Sequence, residues 1–167
     1  MNKRTQDVMF SSKSSEWQTP IELFRRLDEK YHFTLDPCTT NANPLGTPKY
    51  YTKEDNGLNK SWKDEIVFVN PPYSDIEEWV RKCHDEGTSA KTIVMLIPVR
   101  TDTKWFHNFI LHDGDIQFIK GRIRFGNPLI EWKDGIVKKT YPAPFPSMFV
   151  RFPRMMGDII DLTKGLK

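Results

Sequence analysis

The segment "VFVNPPYS" places Asn70, Pro71, Pro72 and Tyr73 directly after an apolar run. Neither proline can donate a ladder hydrogen bond, so the pair ends a strand and stiffens the turn after it. The residue types also suit one chemistry. An amino group on a heteroaromatic ring is a poor nucleophile, because its lone pair is delocalised into the ring. Acceptors placed at its two N–H groups draw the nitrogen toward a tetrahedral shape and localise that pair. Asn70 has a side-chain carbonyl and Pro71 a backbone one, and the prolines remove competing donors. Tyr73 adds a flat face for ring stacking, worth about 1–3 kcal/mol by analogy with base stacking. This acceptor pair fits an amine or amide and does not suit a phosphate or carboxylate. The plain alternative is a strand end followed by a stiff turn.

Delivering these residues to a site requires strands. "EIVFVN" is apolar on both sides, as deep in a parallel sheet, and "KTIVMLIP" reads as a second buried strand. "HFTLD" and "KYYT" read as short strands and "SMFVRF" as the last one. "DIQFIKGRIRF" reads as two short strands around Gly121, with Arg122 and Arg124 alternating onto one face of the second. Three segments carry helical signals. "TPIELFRRLDEKY" offers Thr19 as a cap, Pro20 in the first turn, and Ile21, Phe24 and Leu27 on one side. "SDIEEWVRKCHDEG" runs from a Ser/Asp cap to Gly87, and "TDTKWFHNFILHDG" from a Thr/Asp start to Gly114. "GNPLIEWKDGIVKKTYPAPFP" reads as a long irregular loop. Helices alternating with buried strands predict an α/β fold with a mostly parallel central sheet flanked by helices. Ligands of such sheets sit beyond the carboxyl ends of the strands. Asp36-Pro37-Cys38, Asn70–Tyr73 and Pro98-Val99-Arg100 all fall at predicted strand ends, which predicts one shared cleft.

A chain of 167 residues fits a minimal single domain. Residues 1–16 are expected to be flexible, 17–153 to form the domain, and 154–167 a polar tail. Hydrophobic residues at 38% and charged residues at 28% describe a soluble globular protein. The N-terminus lacks the apolar segment of a signal peptide, and no stretch approaches the ~20 apolar residues of a membrane span. A cytoplasmic protein without membrane partners is expected. Cys38 and Cys83 make neither a disulfide framework nor a zinc site, and the four histidines show no ligand spacing, so no metal is expected. The net charge of +3 permits a nucleic-acid partner without demanding one. Its placement says more. Lys120, Arg122, Arg124, Lys133, Lys138 and Lys139 stand against Glu131 and Asp134, with Phe125, Trp132 and Tyr141 interleaved. That mix suits phosphate contact with base stacking, or a solvated basic loop.

"EWQTPIELF", "FTLDPCTTNAN", "YYTKEDNGLNKSW", "VFVNPPYS", "MLIPVRTDTKWFH", "IKGRIRF" and "SMFVRF" occur in an order that resembles the phage-type DNA N6-adenine methyltransferase family (Dam type). The resemblance runs from about Trp17 to Phe152. It implies a Rossmann-like methyltransferase fold and transfer of a methyl group from S-adenosylmethionine to a flipped-out adenine in duplex DNA. It implies that Gln18, Thr19 and Pro20 lie near the methionine part of that cofactor. It puts Asp36, Pro37 and Cys38 at the first cofactor motif, with Asp36 pairing with the ammonium group. Asp55 or Asn56 would meet the adenine or ribose; Asn56 stands where the family usually has Asp before Gly-Leu. The G-x-G loop of methyltransferases in general is missing after the first strand, a feature the phage type shares. Asn70, Pro71, Pro72 and Tyr73 would be catalytic, with no covalent enzyme intermediate. Arg100, Lys104, Arg122 and Arg124 would bind DNA, and loop 126–146 would be a small recognition element on a monomer or weak dimer. The family's occurrence in phages implies a host bacterial cytoplasm. The same Asn-Pro-Pro-Tyr chemistry also fits an amino group in RNA or a protein glutamine amide, and a catalytically silent DNA-binding relative is the third reading.

Overall fold

Strands with apolar side chains on both sides need cover on both faces, and the computed structural model supplies it. It describes residues 17–126 and 142–154, and the backbone alone at 132–133, 136–137 and 140–141. The expected flexible N-terminal segment and most of the polar tail lie outside the described residues. In chain order the elements are α1 (Ile21–Tyr31), β1 (Leu35–Asp36), β2 (Lys49–Tyr50), β3 (Ile66–Val69), α2 (Ile76–Glu86), β4 (Thr92–Pro98), β5 (Asp115–Phe118), β6 (Arg124–Gly126), β7 (Trp132–Lys133), β8 (Ile136–Val137), β9 (Thr140–Pro142) and β10 (Ser147–Phe152).

Six strands form one sheet in the order β2-β1-β3-β4-β10-β5. Strands β1 to β4 pair in parallel, whereas β10 is antiparallel to both β4 and β5. The sheet is therefore mixed, and the expectation of a mostly parallel one is corrected. The reason is connectivity. The chain leaves β5 at the edge where β4 ends, and Ser147 re-enters opposite Pro98 at that same edge. With no crossover to the far end, β10 can only run back. An apolar run encodes burial and not direction.

Alternation along the central strands feeds two cores. Val67, Val69, Ile93, Met95, Ile97, Met148 and Val150 meet Trp79, Val80 and Cys83 of α2, together with Phe106 and Ile110. Phe68, Val94, Leu96 and Phe149 meet Leu23, Phe24 and Leu27 of α1 on the other side. Full burial of each such side chain contributes about 1.5–3 kcal/mol. Helix α1 starts with Pro20 at its N-cap and no side-chain cap, so Thr19 is not the cap its sequence position suggests. Asp75 likewise precedes α2 without a side-chain cap bond. The expected helix after Thr101 is instead a short π-helical turn, Phe106–Ile110. The room between Thr101 and Gly114 is short, so packing of Trp105, Phe106 and Ile110 onto the sheet decides the backbone there.

The stretch expected to be an irregular loop carries paired strands. β9 pairs antiparallel with β6, and β7 with β8. These ladders are two or three residues long, too short for an alternating pattern to stand out. Arg122 is not on a strand with Arg124. The strand stops at Arg124, opposite Pro142, with one further backbone bond beyond it, from Ala143 N–H to Ile123 O at 2.8 Å. The two arginines are nonetheless both exposed, while Ile123 and Phe125 between and beside them are buried.

Candidate active site

Three distant pieces of chain meet at the carboxyl end of β3. The first is a strap, Trp17–Thr19, held by a backbone bridge in which Gln18 N–H donates to Gly126 O at 3.2 Å and Gly126 N–H to Gln18 O at 3.0 Å. The Trp17 ring packs against Phe125 and Phe145, with centroids 5.8 and 5.6 Å away. The second piece is Asn70, the first residue past β3. Its amide nitrogen donates to the Trp17 carbonyl and, at 2.9 Å, to the hydroxyl oxygen of Thr19. Both amide hydrogens thus point into the protein, and Asn70 Oδ1 remains as the acceptor. The Tyr73 hydroxyl donates to it at 3.3 Å. Burial pushes the Tyr73 phenol well above its ordinary pKa, so it stays protonated and keeps donating. Its ring stands edge-on to Phe145 at 5.5 Å.

The third piece is Asp36-Pro37-Cys38 at the end of β1. Asp36 is buried and its Oδ1 accepts the Cys38 N–H at 3.2 Å. Burial raises the Asp36 carboxyl from 3.8 to about 7, against the lowering effect of its hydrogen bonds to Cys38 and Thr39. Among the described residues no cation is ion-paired with it. Cys38 Sγ donates to Asn70 O at 3.5 Å, which ties this piece to the second. Burial, then the Asp36 charge, hold the Cys38 thiol well above its usual value, so it is no nucleophile.

Between these pieces lies a cleft of about 410 Å³. Gln18, Thr19, Asp36, Pro37, Cys38, Asn56, Asn70 and Pro72 of the predicted site line it. Pro20, Pro71 and Tyr73 flank those residues without lining it. Asp55 does not line it either: its carboxylate accepts the Thr52 N–H at 2.9 Å and the Thr52 hydroxyl at 2.8 Å. Those bonds hold Asp55 below the usual carboxylate range. Asn56, in the left-handed region at φ 53°, is therefore the one of the pair that lines the cleft. Two of the three strand-end motifs share the cleft, and Pro98-Val99-Arg100 does not line it. Arg100, Lys104, Arg122 and Arg124 are exposed outside it. They follow β4 and β5, which run in the same direction, so they gather at the edge of the sheet where Asn70 lies.

Sequence reasoning missed part of the wall. Trp79 lines the cleft, stacked on Trp62 at 6.3 Å, and Trp62 Nε1 donates to Gly57 O at 3.1 Å. On the apolar side of α2, Trp79 looks like any core residue. Trp17 contributes through its carbonyl, which no side-chain pattern reveals. Gly57 is required by closeness: a β-carbon there would lie 2.0 Å from Pro37 O.

The lining chemistry defines what fits. Asp36 is a buried carboxylate without a cation, and Gln18 Oε1 is a buried acceptor without a partner among the described residues. Both call for a donor or a positive charge. The aromatic Trp79 and the narrow Asn56–Gly57 turn add a surface for a planar group. A small molecule with cationic and heteroaromatic parts meets these demands.

A profile described as "DNA N-6-adenine-methyltransferase (Dam)" matches residues 7–156. The DNA N-6-adenine-methyltransferase of Escherichia phage T1 is 34% identical over 92 residues, 54% of this chain and 38% of that protein. The DNA N-6-adenine-methyltransferase of Haemophilus phage HP1 (strain HP1c1) is 31% identical over 115 residues, 66% of each. The chain thus spans less than two thirds of either relative.

Proposed function

This chain belongs to the DNA N-6-adenine-methyltransferase (Dam) family, and on that premise we propose that it methylates the N6 amine of adenine in duplex DNA, with S-adenosylmethionine as donor. The observation that carries this reading is the Asn70 amide. Its hydrogens are spent on Trp17 O and Thr19 Oγ1, so it faces the cleft as an acceptor. A carbonyl oxygen has two lone pairs, so Asn70 Oδ1 can accept an amine N–H while keeping the Tyr73 hydroxyl. Pro71 O is the second acceptor, and together they localise the amine lone pair. Pro72, which lines the cleft, gives the ring an apolar contact, and Tyr73 supports Asn70 from behind through its hydroxyl. The adenine must leave the duplex stack first, at a cost of a few kcal/mol.

The donor's fit rests on Asp36 and Gln18 for its ammonium group, and on Asn56, Gly57 and Trp79 for its adenosine. When bound, S-adenosylmethionine supplies a methyl group already activated on a sulfonium, so the protein needs no covalent nucleophile. The six-stranded sheet with helices on both faces is consistent with a Rossmann-like methyltransferase fold, its last strand reversed. Arg100, Lys104, Arg122 and Arg124 hold DNA phosphates along the cleft edge, and the β6–β9 ribbon is the recognition element. The test is methyl transfer from radiolabelled S-adenosylmethionine to unmethylated duplex DNA, followed by digestion to nucleosides. Label in N6-methyldeoxyadenosine is expected. Label only in RNA or protein, or none despite cofactor binding, overturns the reading.

A further inference from the structure

We infer that Thr19 is a positioning residue for Asn70: with the Trp17 carbonyl, its hydroxyl fixes the plane and direction of the Asn70 side-chain amide. The terminal torsion of asparagine is broad and nearly two-fold, so an amide at a strand end does not hold one direction unaided. Here the two partners divide the work. A backbone carbonyl can only accept, so Trp17 O dictates which end of the amide faces inward. The Thr19 oxygen, 2.9 Å from the same nitrogen, takes the second hydrogen and so fixes the amide plane. Thr19 is 6% exposed, so its hydroxyl is held in place where it meets Asn70 at the cleft wall.

Helix α1 makes no competing use of that hydroxyl. It begins with Pro20 at its N-cap and takes no side-chain cap bond. Removing the Thr19 hydroxyl therefore costs the helix nothing and acts on Asn70. The strap itself is held independently, by the Gln18–Gly126 bridge and the Trp17 ring contacts. A β-branched apolar residue at position 19 keeps its shape and loses only the acceptor.

The turnover part of the test rests on the proposed reaction; the spectroscopic part does not. The experiment compares the wild-type chain with Thr19→Val and Thr19→Ser. Hydrogen exchange of the side-chain amide is followed by NMR on protein labelled with ¹⁵N-asparagine, the Asn70 pair being assigned by its disappearance in Asn70→Ala. Slow exchange is expected in the wild type, at least tenfold faster exchange in Thr19→Val, and slow exchange again in Thr19→Ser. kcat should fall about 10- to 100-fold in Thr19→Val, as for a displaced reacting group, with KM for DNA held, and Thr19→Ser should recover it. If Thr19→Val does not fold, Thr19→Ala takes its place. Unchanged exchange, or changed exchange with wild-type kcat, overturns the assignment. If the wild type transfers no methyl to DNA, the proposed reaction fails on its own, and the exchange rates still decide the role of Thr19.

Discussion

Replacing Asp36 by Asn separates the stability of the fold from its use. The native carboxyl holds its proton up to about pH 7, while the ordinary value for the group is 3.8. The sign follows from proton counts. Between those two values the unfolded chain has released the proton and the native chain has not, so stability falls as pH rises. Above about pH 7 both forms are ionised, and the loss is complete. At about 1.4 kcal/mol for each pH unit, that interval amounts to about 4 kcal/mol. Asn is neutral throughout, and its Oδ1 can still accept the Cys38 N–H now made to Asp36 at 3.2 Å. Urea unfolding of both proteins between about pH 4 and pH 8 reads the difference, because every other titrating group is common to them. Asp36→Asn should gain on the wild type by up to about 4 kcal/mol across that range. Saturating S-adenosylmethionine at about a hundred times its Kd should then stabilise the wild type by about 2.7 kcal/mol at the alkaline end and leave Asp36→Asn unmoved. Parallel stability curves for the two proteins refute the reasoning, since they mean that the carboxylate ionises without penalty. An equal response to the cofactor refutes its role in binding.

Asn70→Ala should lower kcat by about 10²- to 10³-fold, the scale of losing one acceptor or donor made for the reacting group, with cofactor affinity by calorimetry unchanged; near-normal turnover removes Asn70 from the chemistry. Gly57→Ala forces a β-carbon against Pro37 O, which would lie 2.0 Å away. The two loops must part, so a loss of about 1–3 kcal/mol in stability and weaker cofactor binding are expected; wild-type melting with wild-type affinity contradicts the close approach. Arg122→Ala combined with Arg124→Ala should reduce the slope of log K for DNA against log salt by about 2. An unchanged slope means that this basic turn faces away from the DNA.

The central strands and the turn at Asn70–Tyr73 were legible because each rests on local chemistry. Val67–Val69 and Ile93–Ile97 are apolar on both sides and end in proline or before it, so their burial and their ends follow from the residues themselves. What was not legible depends on distant partners. Thr19 looks like a helix cap, and only the arrival of Asn70, 51 positions along the chain, shows where its hydroxyl goes. Asp55 and Asn56 are alike as candidates until the Thr52 turn claims Asp55. The reversed strand β10 is as apolar as a parallel one, and its direction is set by where the preceding ribbon returns it. The short ladders of that ribbon are fixed by pairing geometry rather than by any alternation of their own.

The Trp17–Thr19 strap also bears on how far the chain can be shortened. Every described helix and every strand of the six-stranded sheet lies beyond Pro20, so a boundary drawn from secondary structure would fall at Ile21. A fragment cut there keeps all the sheet pairings and so most of its circular dichroism. It loses the carbonyl and hydroxyl that hold Asn70 and the bridge that pins Gly126. Trimming from the N-terminus, by design or by a protease, thus strips Asn70 of its partners once it passes Trp17, four residues ahead of the first described helix.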